Sequence, residues 1–365
     1  MSVRRLYGSG VSAQLPITRK DGSLEGSATE SGHLTEARAS PLDGRARHSF
    51  AGAPTPLQVC DRLGAAIGLA PGQLLVKRDD LTCLAAGGNK ARKLEFLVAD
   101  AIAKDATVLV TGGAAQSNHV RATAAAASMS GLRAVGVVGG DSSRPPEGNI
   151  TLDHLLGLEL VWAKETYGAV DLGTAMESVC ERLRGAGERP YPIPLGGSSP
   201  VGALGYVIAA DELSVEIGDA LVYVADGTGG THAGLVAGFG DHDRVVGVDV
   251  GAVPELESAI IGLASATAKL AGRSVPNGSP TVRQGQVGEG YGRPTAEGLE
   301  ALRLAARLEG LVLDPVYTAK GMAGLIADGR SGSIGDQRVV FIHTGGLPGL
   351  LIDKFATWIR DSPEA

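Results

Sequence analysis

From Pro54 onward, short apolar runs alternate with stretches of helical period. Gln73–Arg78, Thr107–Thr111, Leu132–Val138, Leu158–Trp162, Pro190–Leu195, Ala220–Ala225, Arg244–Val250 and Arg338–His343 read as strands. Between them, helices are predicted over Cys60–Ile67, from Lys90 through Ala101, and over His119–Met129, Ala175–Arg184, Ala203–Ile217, His232–Phe239 and Pro254–Ala271. Thr295–Leu308 is amphipathic and ends at the capping glycine Gly310, and a further helix follows the last strand. Short strands separated by helices imply βαβ units and a mostly parallel sheet. The pattern restarts after Gly196-Gly197-Ser198-Ser199. The expected fold class is therefore α/β, with two open, mostly parallel sheets carrying helices on both faces. Residues 1–45 show no such period and are rich in Ser, Gly, Thr and Arg. That composition predicts a disordered or loosely attached tail. Arg4 and Arg5 are followed by no hydrophobic signal core.

Composition narrows the function. The 365 residues leave room for two modest domains, and 44% hydrophobic with 20% charged residues is ordinary for a globular protein. The 54 glycines and 4% aromatics suit tight strand-to-helix turns. A net charge of −7 argues against a nucleic-acid surface. No apolar run approaches the roughly 20 residues of a membrane span. Cys60, Cys83 and Cys180 form no CxxC pair, which suits a reducing, cytoplasmic setting without a disulfide framework or a metal site.

Candidate chemistry gathers at glycine-rich turns. Lys90 follows Gly87-Gly88-Asn89 and opens a helix, where a desolvated amine could form a Schiff base with a carbonyl cofactor; a solvated surface lysine is the plain alternative. Asp226-Gly227-Thr228-Gly229-Gly230-Thr231 joins a strand to a helix N-terminus, which serves a single phosphate or a simple tight turn. It is neither a P-loop nor a dinucleotide fingerprint. Gln116-Ser117-Asn118-His119 follows Gly112-Gly113 and offers donors for a carboxylate or a cofactor oxygen, or merely a helix cap. Tyr291 and Tyr317 stand at element ends, as candidate acids or as core tyrosines.

The segments KRDDLTCLAAGGNKARKLEFL, GGAAQSNHVRATAAAA, PIPLGGSSPVGALGY, DGTGGTHAGL, GYGRPTAEGLEALRLAARLEG, LDPVYTAKGMAGL and FIHTGGLPGL together resemble one group. It is the D-cysteine desulfhydrase and 1-aminocyclopropane-1-carboxylate (ACC) deaminase family. The resemblance runs from about residue 48 to the C-terminal helix. It implies pyridoxal 5'-phosphate as cofactor, the tryptophan-synthase-β-like fold (fold type II) and a homodimer. By position, Lys90 matches the lysine that carries the cofactor, while Lys93 and Thr228, Gly229, Gly230 and Thr231 match phosphate-binding positions. Asn118 matches the partner of the ring hydroxyl. Ser117, with Gln116 and His119, matches the loop that holds the substrate carboxylate, and Tyr291 and Tyr317 match the two active-site tyrosines.

Two positions bear on which reaction is run. ACC deaminases carry a glutamate facing the pyridine nitrogen where this chain has Thr318, and a leucine where it has Thr344. Both threonines match the desulfhydrase side. A carboxylate would keep the ring nitrogen protonated, whereas a neutral hydroxyl gives a weaker electron sink that suffices when a good group leaves Cβ. Residues 46–100 with 205–365 are the expected large, cofactor-binding domain, and 101–204 the small one. The expected activity is a pyridoxal-phosphate-dependent lyase performing α,β-elimination on a small amino acid, foremost D-cysteine. ACC deaminase and cysteate sulfo-lyase are the neighbouring alternatives. A catalytically degenerate cofactor- or amino-acid-binding protein is the alternative of another class. Two departures stand out: Asp226 beside the phosphate loop, and the Gly-, Ser- and Pro-rich stretch from Gly139 to Ile150.

Overall fold

Alternate residues of the central strands bury on opposite faces of one sheet. Leu74, Val76, Val339 and Phe341 pack with Leu63, Met322 and Leu325 on one side. Leu75, Val340, Ile342, Val222 and Val224 pack with Tyr206, Leu213 and Val236 on the other. A strand apolar on both faces needs helices above and below, the condition of a parallel α/β sheet. Each such fully buried side chain contributes on the order of 1.5–3 kcal/mol.

A computed structural model describes residue 42 and residues 44–143, 146–163 and 169–363. The expectation of a loose tail over residues 1–45 falls almost wholly outside them. The strands are β1 (Leu57–Val59), β2 (Leu74–Lys77), β3 (Val108–Ala114), β4 (Arg133–Gly139) and β5 (Glu159–Ala163). They continue with β6 (Pro190–Pro192), β7 (Leu221–Asp226), β8 (Val245–Asp249), β9 (Thr281–Arg283) and β10 (Val339–Ile342). One sheet has the order β1-β2-β10-β7-β8-β9 and the other β5-β4-β3-β6. Among the described residues the β1–β2 pair is antiparallel and the other strand pairings in the two sheets are parallel. The fold is thus the α/β class expected.

Several differences from the sequence reading have local causes. β3 continues through Gly112 and Gly113, still paired with Val137 and Val138 of β4. A Cβ on Gly112 would lie 2.8 Å from Met176 Sδ, so the glycine admits the helix packed over the strand. The run expected to end at Leu195 stops at Pro192, because prolines at both ends confine β6 to the sheet edge. Gly148–Leu155 forms a helix inside a stretch whose glycine and proline hid it, and Thr318–Arg330 forms another.

The helix Lys90–Ala103 is fastened to β2 by charge. Arg92 is 1% exposed and donates from Nε and an Nη to Asp79 at 3.0 and 2.9 Å, and to Glu212 at 2.9 Å. Asp79 also accepts from Thr55 at 2.7 Å and Tyr206 at 2.5 Å. This network fixes the end of the helix from which Lys90 projects. Among the described residues no helix is long and apolar enough to cross a membrane.

Candidate active site

Strands of both sheets aim their carboxyl ends at one cavity of about 380 Å³, the place where open α/β sheets collect ligands. Lys90, Lys93, Ser117, Asn118, His119, Thr228, Gly229, Gly230, Thr231, Tyr291, Tyr317 and Thr344 all line it. Gln116 and Thr318 do not.

The Lys90 turn is built by glycines. Gly87 and Gly88 have φ of +69° and +112°, a region open chiefly to glycine. A Cβ on Gly88 would lie 3.0 Å from the Thr344 carbonyl, which accepts from Asn89 N at 3.1 Å. The turn therefore packs against the exit of β10, and Thr344 comes to lie beside Lys90. Lys90 Nζ donates to Asn89 Oδ1 at 2.8 Å, and Asn89 Nδ2 donates to Thr231 Oγ1 at 3.0 Å. Asn89, which the sequence reading passed over, thus ties the amine to the glycine-rich loop. Burial, and then the Arg121 guanidinium, lower the Lys90 pKa to about 8 against the opposing pull of Asp314.

That loop forms an anion cradle. Gly229 turns with φ +72° ahead of the helix Gly230–Phe239, whose first N–H groups lack intrahelical partners. Lys93 Nζ reaches the Gly196 carbonyl at 3.2 Å, and Ser198 Oγ meets Thr228 Oγ1 at 2.7 Å. A Cβ on Gly230 would fall 2.7 Å from Lys93 Nζ and collide with Ser198. Burial, and then Lys90, push the Lys93 ammonium well below its usual pKa; an anion in the cradle favours the charged form again. Ser198 is a second residue the sequence reading did not assign. Its signal was only its place in the Gly-Gly-Ser-Ser turn.

Asp226, unexpected beside a phosphate, does line the cavity, but one of its carboxylate oxygens is engaged by a histidine. Its Oδ2 lies 2.7 Å from His232 Nδ1, over Gly247, where any Cβ would collide with the carboxylate.

On the opposite wall, Ser117 caps the helix Asn118–Met129 by accepting from Val120 N at 3.3 Å. The capping role and a place on the cavity wall coexist, because the hydroxyl still has a proton to donate. His119 is 2% exposed, and neither ring nitrogen has a partner among the described residues. Burial, then Lys90 and Lys93, hold its pKa well below the usual value, so the ring is neutral at neutral pH. Tyr291 and Tyr317 join hydroxyl to hydroxyl, with ring centroids 6.0 Å apart. Burial foremost raises the Tyr317 phenol well above its usual pKa, which keeps its proton in place.

The two residues off the wall have their polar atoms engaged. Gln116 Oε1 accepts from Asn149 N at 2.8 Å and its Nε2 donates to the Glu147 carbonyl at 3.0 Å. It therefore fastens the start of the helix Gly148–Leu155. Thr318 is wholly buried, and its hydroxyl bonds to Asp314 Oδ1 at 2.7 Å.

The site thus joins a desolvated amine, an anion cradle, a neutral imidazole with no partner among the described residues, and a phenol pair. Such a set accommodates a small carbonyl compound bearing a phosphate. Residues 48–345 match the family described as pyridoxal-phosphate dependent enzyme. The chain is 42% identical to the D-cysteine desulfhydrases of Salmonella typhimurium and Salmonella schwarzengrund, covering 83% of this chain and 95% of each relative. A solved structure titled as an ACC deaminase homologue superposes with a TM-score of 0.81 at 36% identity, covering 88% of this chain and 97% of that one. The processed threonine deaminase isoform 2 of Solanum lycopersicum, at 17% identity and a TM-score of 0.62, covers 88% of this chain and 85% of its own and shares the fold. With the amine, the cradle and these relatives in agreement, the chain belongs to the pyridoxal-phosphate-dependent enzymes.

Proposed function

We propose that this protein is a lyase that carries out α,β-elimination on a small amino acid, with D-cysteine as substrate and hydrogen sulfide, pyruvate and ammonia as products. The observation that supports the reading is that the Lys90 amine, the anion cradle and the Ser117–His119 loop line one cavity. Pyridoxal phosphate fits that arrangement: Gly230 leaves room beside Lys93 and Ser198, and the two buried nitrogens of His119 have no partner among the described residues. Lys93, Thr228, Gly229, Gly230 and Thr231 would hold the phosphate, Asn118 the ring hydroxyl, and Lys90 the carbonyl carbon. When bound, the cofactor supplies an electron sink for the pair left at the substrate Cα.

Each residue then has a task. Ser117 donates to the substrate carboxylate, and the neutral His119 adds a donor without a competing charge. The neutral Lys90 amine, when it is not holding the cofactor, would take the proton from Cα. The Cβ–S bond breaks with its electron pair on sulfur, and the tyrosine pair, which keeps its protons at neutral pH, protonates the departing hydrosulfide. The released enamine reacts with water to give pyruvate and ammonia. Thr344 beside Lys90 favours elimination of a good leaving group over opening of a cyclopropane, whereas Thr318, off the cavity wall with its hydroxyl on Asp314, bears on the choice only by bringing no carboxylate there. Gln116, with its amide already engaged, positions the loop and leaves the carboxylate to its neighbours. We place the working enzyme in the cytoplasm as a homodimer; its unpaired cysteines suit a reducing compartment.

A substrate panel tests the reading. Purified holoenzyme is expected to release sulfide and pyruvate from D-cysteine, with little turnover of L-cysteine, cysteate or ACC. Release of 2-oxobutyrate from ACC as the dominant activity would overturn it. The amine itself offers a second test. Lys90 must be neutral to attack, and its pKa lies at about 8. The rate at which apoprotein captures pyridoxal phosphate, followed by absorbance, should rise with pH and level off above about 8. An exposed lysine would keep climbing toward about 10.4. A profile still rising at that higher value would refute the desolvated site.

A further inference from the structure

The side-chain amide of Asn118 can present either a donor or an acceptor to the cavity, and only the donor suits a ring oxygen that carries negative charge. The residues behind it settle which. Asn149 Nδ2 donates to Asn118 Oδ1 at 3.0 Å and to the Gln116 carbonyl at 2.9 Å. Its Oδ1 accepts from Arg121 Nε at 2.9 Å. A guanidinium can only donate and a carbonyl can only accept, so both ends of the Asn149 amide are fixed by partners of unambiguous chemistry. Asn118 must then turn its oxygen toward Asn149, which leaves its NH2 for the cavity.

Arg121 is well held for this task. It is 1% exposed, and a second guanidinium nitrogen donates to the Gly87 carbonyl at 3.1 Å, in the turn that delivers Lys90. Asp153, also fully buried and on the same helix as Asn149, opposes its charge. One side chain therefore braces both the Lys90 turn and the amide opposite. We propose that Arg121 and Asn149 are positioning residues for the cofactor, acting through Asn118 to hold its NH2 against the ring oxygen. This rests on the reading of Asn118 as the ring-oxygen partner.

The test uses holoprotein and reads the pyridoxal-phosphate dissociation constant and the visible absorbance maximum. Asn149→Asp keeps the shape and the bond from Arg121 but cannot donate, so Asn118 should turn over and offer its carbonyl to the ring oxygen. Binding should weaken about tenfold, the effect of one lost hydrogen bond, with a shifted maximum. Asn118→Ala should weaken binding comparably, and the double variant should bind no worse than the weaker single one. If Asn118→Ala binds and absorbs like the parent, the reading of Asn118 itself fails. If Asn118→Ala weakens binding while Asn149→Asp does not, or if the two losses add, the relay is overturned. Neutron diffraction from the unsubstituted holoprotein gives an answer independent of folding: Nδ2 of Asn118 should face the ring oxygen, and Oδ1 found there would overturn the proposal.

Discussion

Replacing Lys90 with alanine is expected to remove the visible absorbance band of the purified protein and to lower turnover by about 10³-fold or more. The amine does two jobs in the proposed reaction, covalent anchor and base at Cα, and no other described lysine can take both. Lys93, its nearest ammonium neighbour in the cavity, is turned to the Gly196 carbonyl. Borohydride should trap cofactor on the parent protein and none at position 90 in the variant. Because the cradle at Thr228–Thr231 is untouched, the variant should still bind pyridoxal phosphate reversibly. A variant that kept both the band and full activity would remove Lys90 from the mechanism.

Asp79→Ala should cost about 3–5 kcal/mol of stability, read as a lowered urea midpoint of the apoprotein. The carboxylate is fully buried and accepts from Arg92, Thr55 and Tyr206. Removing it strands a buried guanidinium with only part of its counter-charge. Burial alone would raise the Asp79 pKa, but the Arg92 charge and the bonds from Arg92, Tyr206 and Thr55 hold it below the usual carboxylate value. A depressed folded pKa contributes stability that is present above the unfolded value, about 3.9, and is lost as pH falls through the folded one. The gap between parent and variant should therefore be full at neutral pH and shrink in acid. A variant within about 1 kcal/mol of the parent at pH 7 would show that Glu212 alone satisfies Arg92.

Much of the cavity lining was legible because its residues stand in short runs. Gly87-Gly88-Asn89-Lys90 and Asp226 to Thr231 are contiguous, and glycines at strand ends mark where a backbone must turn sharply or approach closely. Arg121, Asn149, Asn89 and Ser198 were not read as site residues. Each acts through a partner distant in sequence: Asn89 meets Thr231, Ser198 meets Thr228, and Asn149 meets Asn118. An asparagine in a glycine-rich stretch carries no local sign of such a partner. Gln116 and Thr318 show the converse. Each lies next to a cavity-lining residue in sequence, yet neighbours in a chain point different ways, and both side chains are held by other groups.

The sequence by itself determined the strand–helix alternation, the parallel α/β class, the glycine turns at the strand ends and the lysine that opens a helix there. These follow from periodicity and backbone freedom, which are properties of neighbouring residues. The tertiary structure decided the protonation and the direction of the groups. Lys90 loses its ordinary basicity because the fold buries it near Arg121. Asp226 turns to His232 because β8 offers a glycine beneath it. Desolvation and hydrogen-bond geometry depend on what lies across a cavity, and that is set only when the two sheets bring their strand ends together.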